Sequence, residues 1–123
     1  MSTFALIVTT SPIDSKTHTA LAVAKQVHAE GHQLLGVFFY QDGVLNANGL
    51  LQMPSDEVNP LSSWQEFAKE TACPLHLCIT AAERRGLSDG ANDLFNNIDA
   101  AFTISGLGEL VVLTSKADKV VQL

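Results

Sequence analysis

The apolar positions of this chain fall into short blocks whose period switches between that of a strand and that of a helix. Phe4-Ala5-Leu6-Ile7-Val8 is an unbroken apolar run with branched side chains, the pattern of a strand covered on both faces in a parallel sheet. A polar stretch, Thr9 to Ser15, leads into residues 16–30, where Ala20, Leu21, Ala24 and Val27 recur at helical spacing and Gly31 supplies the stop. Residues 33–39, with Leu34, Leu35, Val37, Phe38 and Phe39, predict a second strand. Sequential strands joined through a helix favour a right-handed parallel crossover.

The pattern then lapses. From Tyr40 to Asn59 no period is sustained while Gly43, Gly49, Pro54 and several asparagines accumulate, so this is read as a long connection leaving a strand end, a kind of segment that tends to be functional or disordered. Asn59-Pro60 gives an N-cap followed by proline at the first helical position, and Leu61, Trp64, Phe67, Ala68 and Thr71 or Ala72 mark the buried side of a helix. Leu75 to Ile79 alternates as a third strand, with Leu75, Leu77 and Ile79 on one face and His76 and Cys78 on the other. After Gly86 the chain is polar and weakly patterned, with a short helix expected around Asp93 to Asn97. Ala101 to Ile104 fits a strand, yet Phe102, Leu107, Leu110 and Val111 also recur at a spacing a helix accepts, and Leu110 to Thr114 reads as helix. Asp118 to Leu123 predicts a last short strand at a sheet edge. The sum is an α/β chain with a largely parallel sheet of about five strands.

At 123 residues the chain suits one core and is too short for two, so a single domain over residues 1–123 is expected. Its apolar runs are too short to span a bilayer, and the opening Met1-Ser2-Thr3-Phe4 has no basic region of the kind that starts a signal peptide. A cytoplasmic location with no membrane partner is expected. The formal net charge of −6 would repel a phosphate backbone, and no basic stripe interleaved with aromatic residues offsets it, which disfavours direct nucleic-acid binding. Arg84-Arg85 is the one basic cluster, large enough only to bias a local site.

That cluster lies close to Cys78, where the third strand gives way to what reads as a helix start. Thr80-Ala81-Ala82-Glu83 fits a capping box, the Thr80 hydroxyl and Glu83 carboxylate satisfying each other's backbone amides. A cysteine just ahead of a helix N-terminus feels the positive end of the helix dipole. That field, helped by Arg84 and Arg85, would lower the thiol pKa and favour the thiolate, the nucleophilic form. The competing reading is a small apolar side chain that only packs, since free cysteine is among the most buried residue types. His76 would stand about 7 Å away, too far for a direct thiolate–imidazole pair, and is read as a neighbour, not a base.

Other chemistries lack their defining residues. Cys73 and Cys78 form neither a secreted disulfide framework nor a metal-ligand spacing, and among the histidines only His28 and His32 are four apart, with Gly31 between them. No metal or cofactor is expected. There is no G-x-G-x-x-G, no G-x-x-x-x-G-K-[ST] and no G-x-S-x-G, while Glu66 and Glu70 beside Lys69 read as a solvated helix face.

Larger patterns say more. Val37-Phe38-Phe39-Tyr40 with Gly43-Val44 and Asn46-Ala47-Asn48 comes first, then Ser55-Asp56-Glu57 and Trp64-Gln65. Leu77-Cys78-Ile79 follows with Ala81-Ala82 and Arg84-Arg85-Gly86, and the series ends in Phe102-Thr103-Ile104-Ser105-Gly106-Leu107-Gly108 and Val120-Val121. In order and spacing this resembles the DsrE family of small sulfur-relay proteins nearly end to end. One departure is the turn after the first strand, where the family tends to a Gly-Pro-x-Tyr-Gly type and this chain has Ser11-Pro12-Ile13-Asp14.

The resemblance implies a three-layer α/β/α, flavodoxin-like domain. It implies a sulfurtransferase whose Cys78 accepts sulfane sulfur as a persulfide and passes it on without a cofactor. It implies a cytoplasmic dimer of heterotrimers with TusB-like and TusC-like subunits, a TusA-like donor, a TusE-like acceptor, and 2-thiouridine at tRNA wobble positions as the destination. Backbone amides of Thr80, Ala81 and Ala82, with Arg84 and Arg85, would stabilise the anionic persulfide. Cys73, outside the motif, would be a structural thiol. Three alternatives stand beside this: a non-catalytic assembly subunit docking through the Tyr40 to Asn59 segment and Trp64, a subunit of dissimilatory sulfur oxidation, and a redox-sensing thiol.

Overall fold

Five strands, β1 (Thr3–Val8), β2 (Gln33–Phe39), β3 (Leu75–Cys78), β4 (Thr103–Ser105) and β5 (Lys119–Gln122), pair in parallel in the order β4-β3-β2-β1-β5. This computed structural model describes residues 2–14, 16–54, 57–90 and 96–123. The centre of the sheet is where the sequence is most continuously apolar. Val37, Phe38 and Phe39 of β2 and Leu6 and Val8 of β1 are fully or almost fully buried, as strands covered on both faces require.

Helices α1 (Lys16–Ala29) and α2 (Pro60–Thr71) pack side by side on one face. The first buries Thr17, Ala20, Leu21, Ala24 and Val27 and stops at Gly31, whose φ of +80° only glycine adopts without strain. The second begins as its Asn59-Pro60 signal demands, with the Asn59 side chain accepting from the Leu61 amide. It delivers Trp64 edge-on to Phe39 at 5.1 Å, and Phe39 in turn meets Phe102 at 5.1 Å. Helix α4 (Leu107–Lys116) lies against β1 and β2, with Leu113 and the ring of His76 both over Gly36. Since strand order reverses between β4 and β5, right-handed crossovers place α4 on the face opposite α1 and α2, completing three layers.

Four expectations are corrected or bounded. The third strand ends at Cys78 rather than Ile79, because Ile79 opens the short helix α3 (Ile79–Arg84). The stretch after β2 is partly ordered by a 3-10 helix over Gln41–Ala47, in which the eclipsed spacing of a three-residue turn hides any α or β period. The Ala101 to Ile104 ambiguity resolves into a strand shifted to Thr103–Ser105 and a helix starting two residues later, separated by Gly106. The short helix expected around Asp93 to Asn97 lies largely outside the described residues.

The 3-10 helix is pinned against the end of β1. A Cβ on Gly43 would run into the Val8 carbonyl, so only glycine permits this approach. Buried Asn46 then donates to the carbonyls of Gly43, at 2.9 Å, and Thr10, at 3.2 Å.

Candidate functional site

Ligand sites of open parallel sheets lie outside the carboxyl ends of the strands, and that edge is where the signature residues converge. Cys78 ends β3, Tyr40 follows β2, and Leu107 opens α4 just beyond β4. Between them lies a cavity of about 540 Å³, walled on one side by Thr80, Ala81, Arg84 and Arg85 of the α3 region and on the other by Gln41 and Asp42. Cys78 lines it while remaining only 2% exposed.

The helix start at Cys78 differs from the expected capping box. Cys78 itself is the N-cap, with extended backbone angles (φ −68°, ψ 115°), and its side chain makes no cap hydrogen bond. Thr80 therefore sits inside the first turn. The free amides of that turn belong to Ile79, Thr80 and Ala81, whereas the Ala82 N–H pairs with the Cys78 carbonyl within the helix. Thr80 and Ala81 are therefore among the unpaired amides of the first turn, and Ala82 is not. The physical reason is the one-residue shortening of β3.

Arg84 and Arg85 both reach the cavity in different roles. The Arg85 Nε pairs with Asp42 Oδ1 at 2.9 Å, and its Nη1 donates to the Ala81 carbonyl at 3.0 Å, tying α3 to the 3-10 helix. Arg84 is exposed and forms no ion pair among the described residues, so its charge is the uncompensated one in the wall. The wall of the cavity that Cys78 lines thus carries one unbalanced positive charge in a chain of net charge −6. Asp42, Gln41 and Leu107 are site residues that sequence reasoning missed. The loss of period after β2 was the only signal for Gln41 and Asp42, whereas Leu107 stood in the Phe102 to Gly108 pattern without a site role.

His76 lies on the α4 face of β3, its Nδ1 3.0 Å from Ser105 Oγ and its Nε2 3.7 Å from Glu109 Oε1. Burial lowers its pKa from the ordinary 6.5, with the Glu109 carboxylate acting in the opposite sense. Cys73 is far from all of this, before the start of β3. Five residues of extended chain separate the two cysteines by about 16 Å, well beyond disulfide reach. Both are free and buried, and burial pushes the Cys73 thiol up to about 12. Among the described residues no group of three His, Cys, Asp or Glu side chains could hold a metal ion, and no helix is long and apolar enough to cross a membrane.

A model of the DsrE/DsrF-like family matches residues 2–123. The chain belongs to the DsrE/DsrF-like family. Within it, the chain is 40% identical over 107 residues to a Sulfurtransferase TusD homolog of Pasteurella multocida, covering 85% of each chain. It is 41% identical over 109 residues to Sulfurtransferase TusD of Yersinia pestis, covering 85% of this chain and 83% of the relative. Those names agree with the sulfur-relay family that the motifs around Cys78 resemble. The fold of this DsrE/DsrF-like chain also matches the crystal structure of the ychN protein from E. coli, with a TM-score of 0.79 over the whole of both chains at 24% identity.

Proposed function

We propose that this protein is a sulfurtransferase of a sulfur relay, of the TusD type, that carries sulfane sulfur as a persulfide on Cys78. The observation that carries the reading is the placement of one cysteine at the N-cap of α3, lining a cavity beside an uncompensated arginine. The relatives named sulfurtransferase support it. The Cys78 thiolate attacks the outer sulfur of a donor persulfide. A new S–S bond forms to Cys78, the donor's S–S bond breaks, and the donor leaves as its thiolate. An acceptor thiolate then attacks the outer sulfur of Cys78-S-SH and releases Cys78 as thiolate, so the two steps balance without a net oxidant or reductant. The amides of Ile79, Thr80 and Ala81 and the Arg84 guanidinium are the groups placed to steady the anion, and Arg85 holds the wall.

The donor is a TusA-like protein and the acceptor a TusE-like one, both cytoplasmic, with 2-thiouridine at tRNA wobble positions as the end product. The chain works within an assembly with TusB-like and TusC-like subunits. Leu107, Val111 and Val112 of α4, which leave apolar surface exposed next to the cavity, are suited to contact them.

Mass spectrometry after incubation with a persulfide donor tests the chemistry. One added sulfur is expected on Cys78, lost in Cys78→Ser and kept in Cys73→Ser. An assembled complex that never acquires the adduct would leave a non-catalytic assembly subunit as the answer. Co-purification with two related small subunits tests the assembly, and transfer to the acceptor followed by tRNA thiolation separates the biosynthetic relay from dissimilatory sulfur oxidation.

A further inference from the structure

Cys78 is 2% exposed, so any sulfur it exchanges has to arrive through the cavity it lines. At about 540 Å³ that cavity falls within the roughly 300–1,000 Å³ of sites that hold small molecules. A cysteine on a folded surface carries its sulfur only one bond beyond Cβ and would have to bring its own backbone in with it. A free thiol compound meets no such obstacle.

The chemistry of the wall selects the compound. Its charged side chains are Arg84, Arg85 and Asp42, and because Arg85 is paired with Asp42 at 2.9 Å, one positive charge is left over. Among the described residues the Arg84 guanidinium, the Thr80 and Tyr40 hydroxyls and the Gln41 side-chain amide make no hydrogen bond, and all four line the cavity. Leu107, 50% exposed, is the one aliphatic side chain larger than alanine in the lining. An anionic group for Arg84, a carbon segment for Leu107 and a sulfur for Cys78 describe a small thiol that bears a carboxylate. The Cys73 cavity, of similar size, is lined by no lysine or arginine and gives that compound no anchor.

We infer that the Cys78 cavity binds a low-molecular-weight thiol compound bearing carboxylate groups, and that Cys78 is charged directly from the persulfide of that compound. The inference rests on Cys78 being the sulfur carrier and adds a diffusible donor to the protein-borne one. The Cys78 thiolate attacks the outer sulfur of the bound persulfide, a new S–S bond forms to Cys78, and the compound's own S–S bond breaks. The compound leaves as its thiolate while the outer sulfur keeps its proton as Cys78-S-SH, so no oxidant or reductant is consumed. Arg84 holds the carboxylate before and after transfer.

Two measurements on the intact chain test this. In the first, S-methylglutathione, which has no sulfane sulfur to give, is titrated while the amide signals are followed by heteronuclear NMR. Saturable shifts are expected at Gln41, Thr80, Ala81, Arg84 and Leu107 and none beside Cys73. Arg84→Ala raises the half-saturating concentration by about two- to fivefold, an effect that salt reduces, and Arg84→Lys, which keeps the charge, stays closer to the parent. In the second, sulfur loading of Cys78 is followed by mass spectrometry with glutathione persulfide, an anion, and cysteamine persulfide, a cation, each rate normalised to that of the denatured chain. Glutathione persulfide is expected to saturate the rate and to lead by about tenfold at low salt, and Arg84→Ala narrows that lead. No saturable shift at millimolar S-methylglutathione, or equal normalised rates for the two persulfides, overturns the inference; loading from a protein-borne persulfide then keeps the carrier reading intact. Saturable shifts with no loading from any persulfide remove the carrier reading and leave the binding site.

Discussion

The two ends of β3 each hold a buried cysteine beside a cavity of similar size, about 540 Å³ at Cys78 and about 550 Å³ at Cys73. What differs is the company. The Cys73 cavity is lined by Leu34, Leu35, Phe67 and Pro74, with His28 and His32 but no lysine or arginine, and burial alone raises that thiol to about 12. The Cys78 cavity has the open first turn of α3, an uncompensated Arg84 and the Arg85–Asp42 pair in its wall. Burial and access to a cavity are therefore common to the two thiols, and the polar groups around each are what distinguish them.

The largest effect tests that contrast directly. A thiol raised to about 12 has over a thousandfold less thiolate at neutral pH than an ordinary one near 8.5. In Cys78→Ser, the remaining Cys73 should be alkylated about a thousandfold more slowly in the folded chain than in denaturant. A folded rate within tenfold of the unfolded rate breaks the comparison, because Cys73 would then be no less available than a free thiol.

The next effect concerns how the Cys78 end is built. Gly43→Ala drives a Cβ into the Val8 carbonyl and must displace the turn that carries Gln41 and Asp42. A loss of about 1–3 kcal/mol in urea unfolding is expected, together with slower sulfur loading of Cys78. Gly49→Ala is the control, since its Cβ would meet nothing nearer than the Asn97 carbonyl at 3.5 Å. If both variants unfold alike, the close approach of the 3-10 helix to β1 does not shape the site.

A smaller effect separates the two arginines. Arg84→Ala should slow loading from an anionic persulfide donor by roughly two- to fivefold, with the difference shrinking as salt rises. Arg85→Ala removes a partly exposed pair with Asp42 and should cost at most about 1 kcal/mol of stability. Equal kinetic effects from the two substitutions would mean that Asp42 leaves the Arg85 charge uncompensated.

How much of this was legible in the sequence follows the same divide. The strands and helices with one dominant period were readable because burial imposes it: Ala20, Leu21, Ala24 and Val27, or Leu61, Trp64 and Phe67, are core residues because their spacing fits one helix face. Cys78 and the two arginines were readable as a local cluster. The cap was misplaced because Thr80 and Glu83 match the capping-box pattern while the chain leaves β3 one residue early, a shift no side-chain pattern records. Asp42 stayed hidden as a site residue for another reason. It lies 36 residues from Cys78 and arrives through the 3-10 turn, whose place beside α3 is a product of tertiary packing.

The smallest effect lies in pH, and its sign is fixed by the environment of His76. Burial lowers the folded-state pKa below the ordinary 6.5, so between that lowered value and 6.5 the unfolded chain binds more protons than the folded one. Stability then rises with pH across this window and is lost as pH falls through it. His76→Asn removes the linkage, so parent and variant should follow parallel stability curves above about pH 7, with the parent falling away towards pH 5. His18, His28 and His32 are present in both chains and cancel in the difference. Glu109 opposes the shift, so Glu109→Gln should lower the His76 pKa further, widen the window and deepen the acid loss. Thermal unfolding measured from pH 5 to pH 8 on the three chains decides it. Coincident curves would mean that the imidazole is as well solvated as in the unfolded chain, and a half-buried His76 would no longer distinguish that end of β3 from the other.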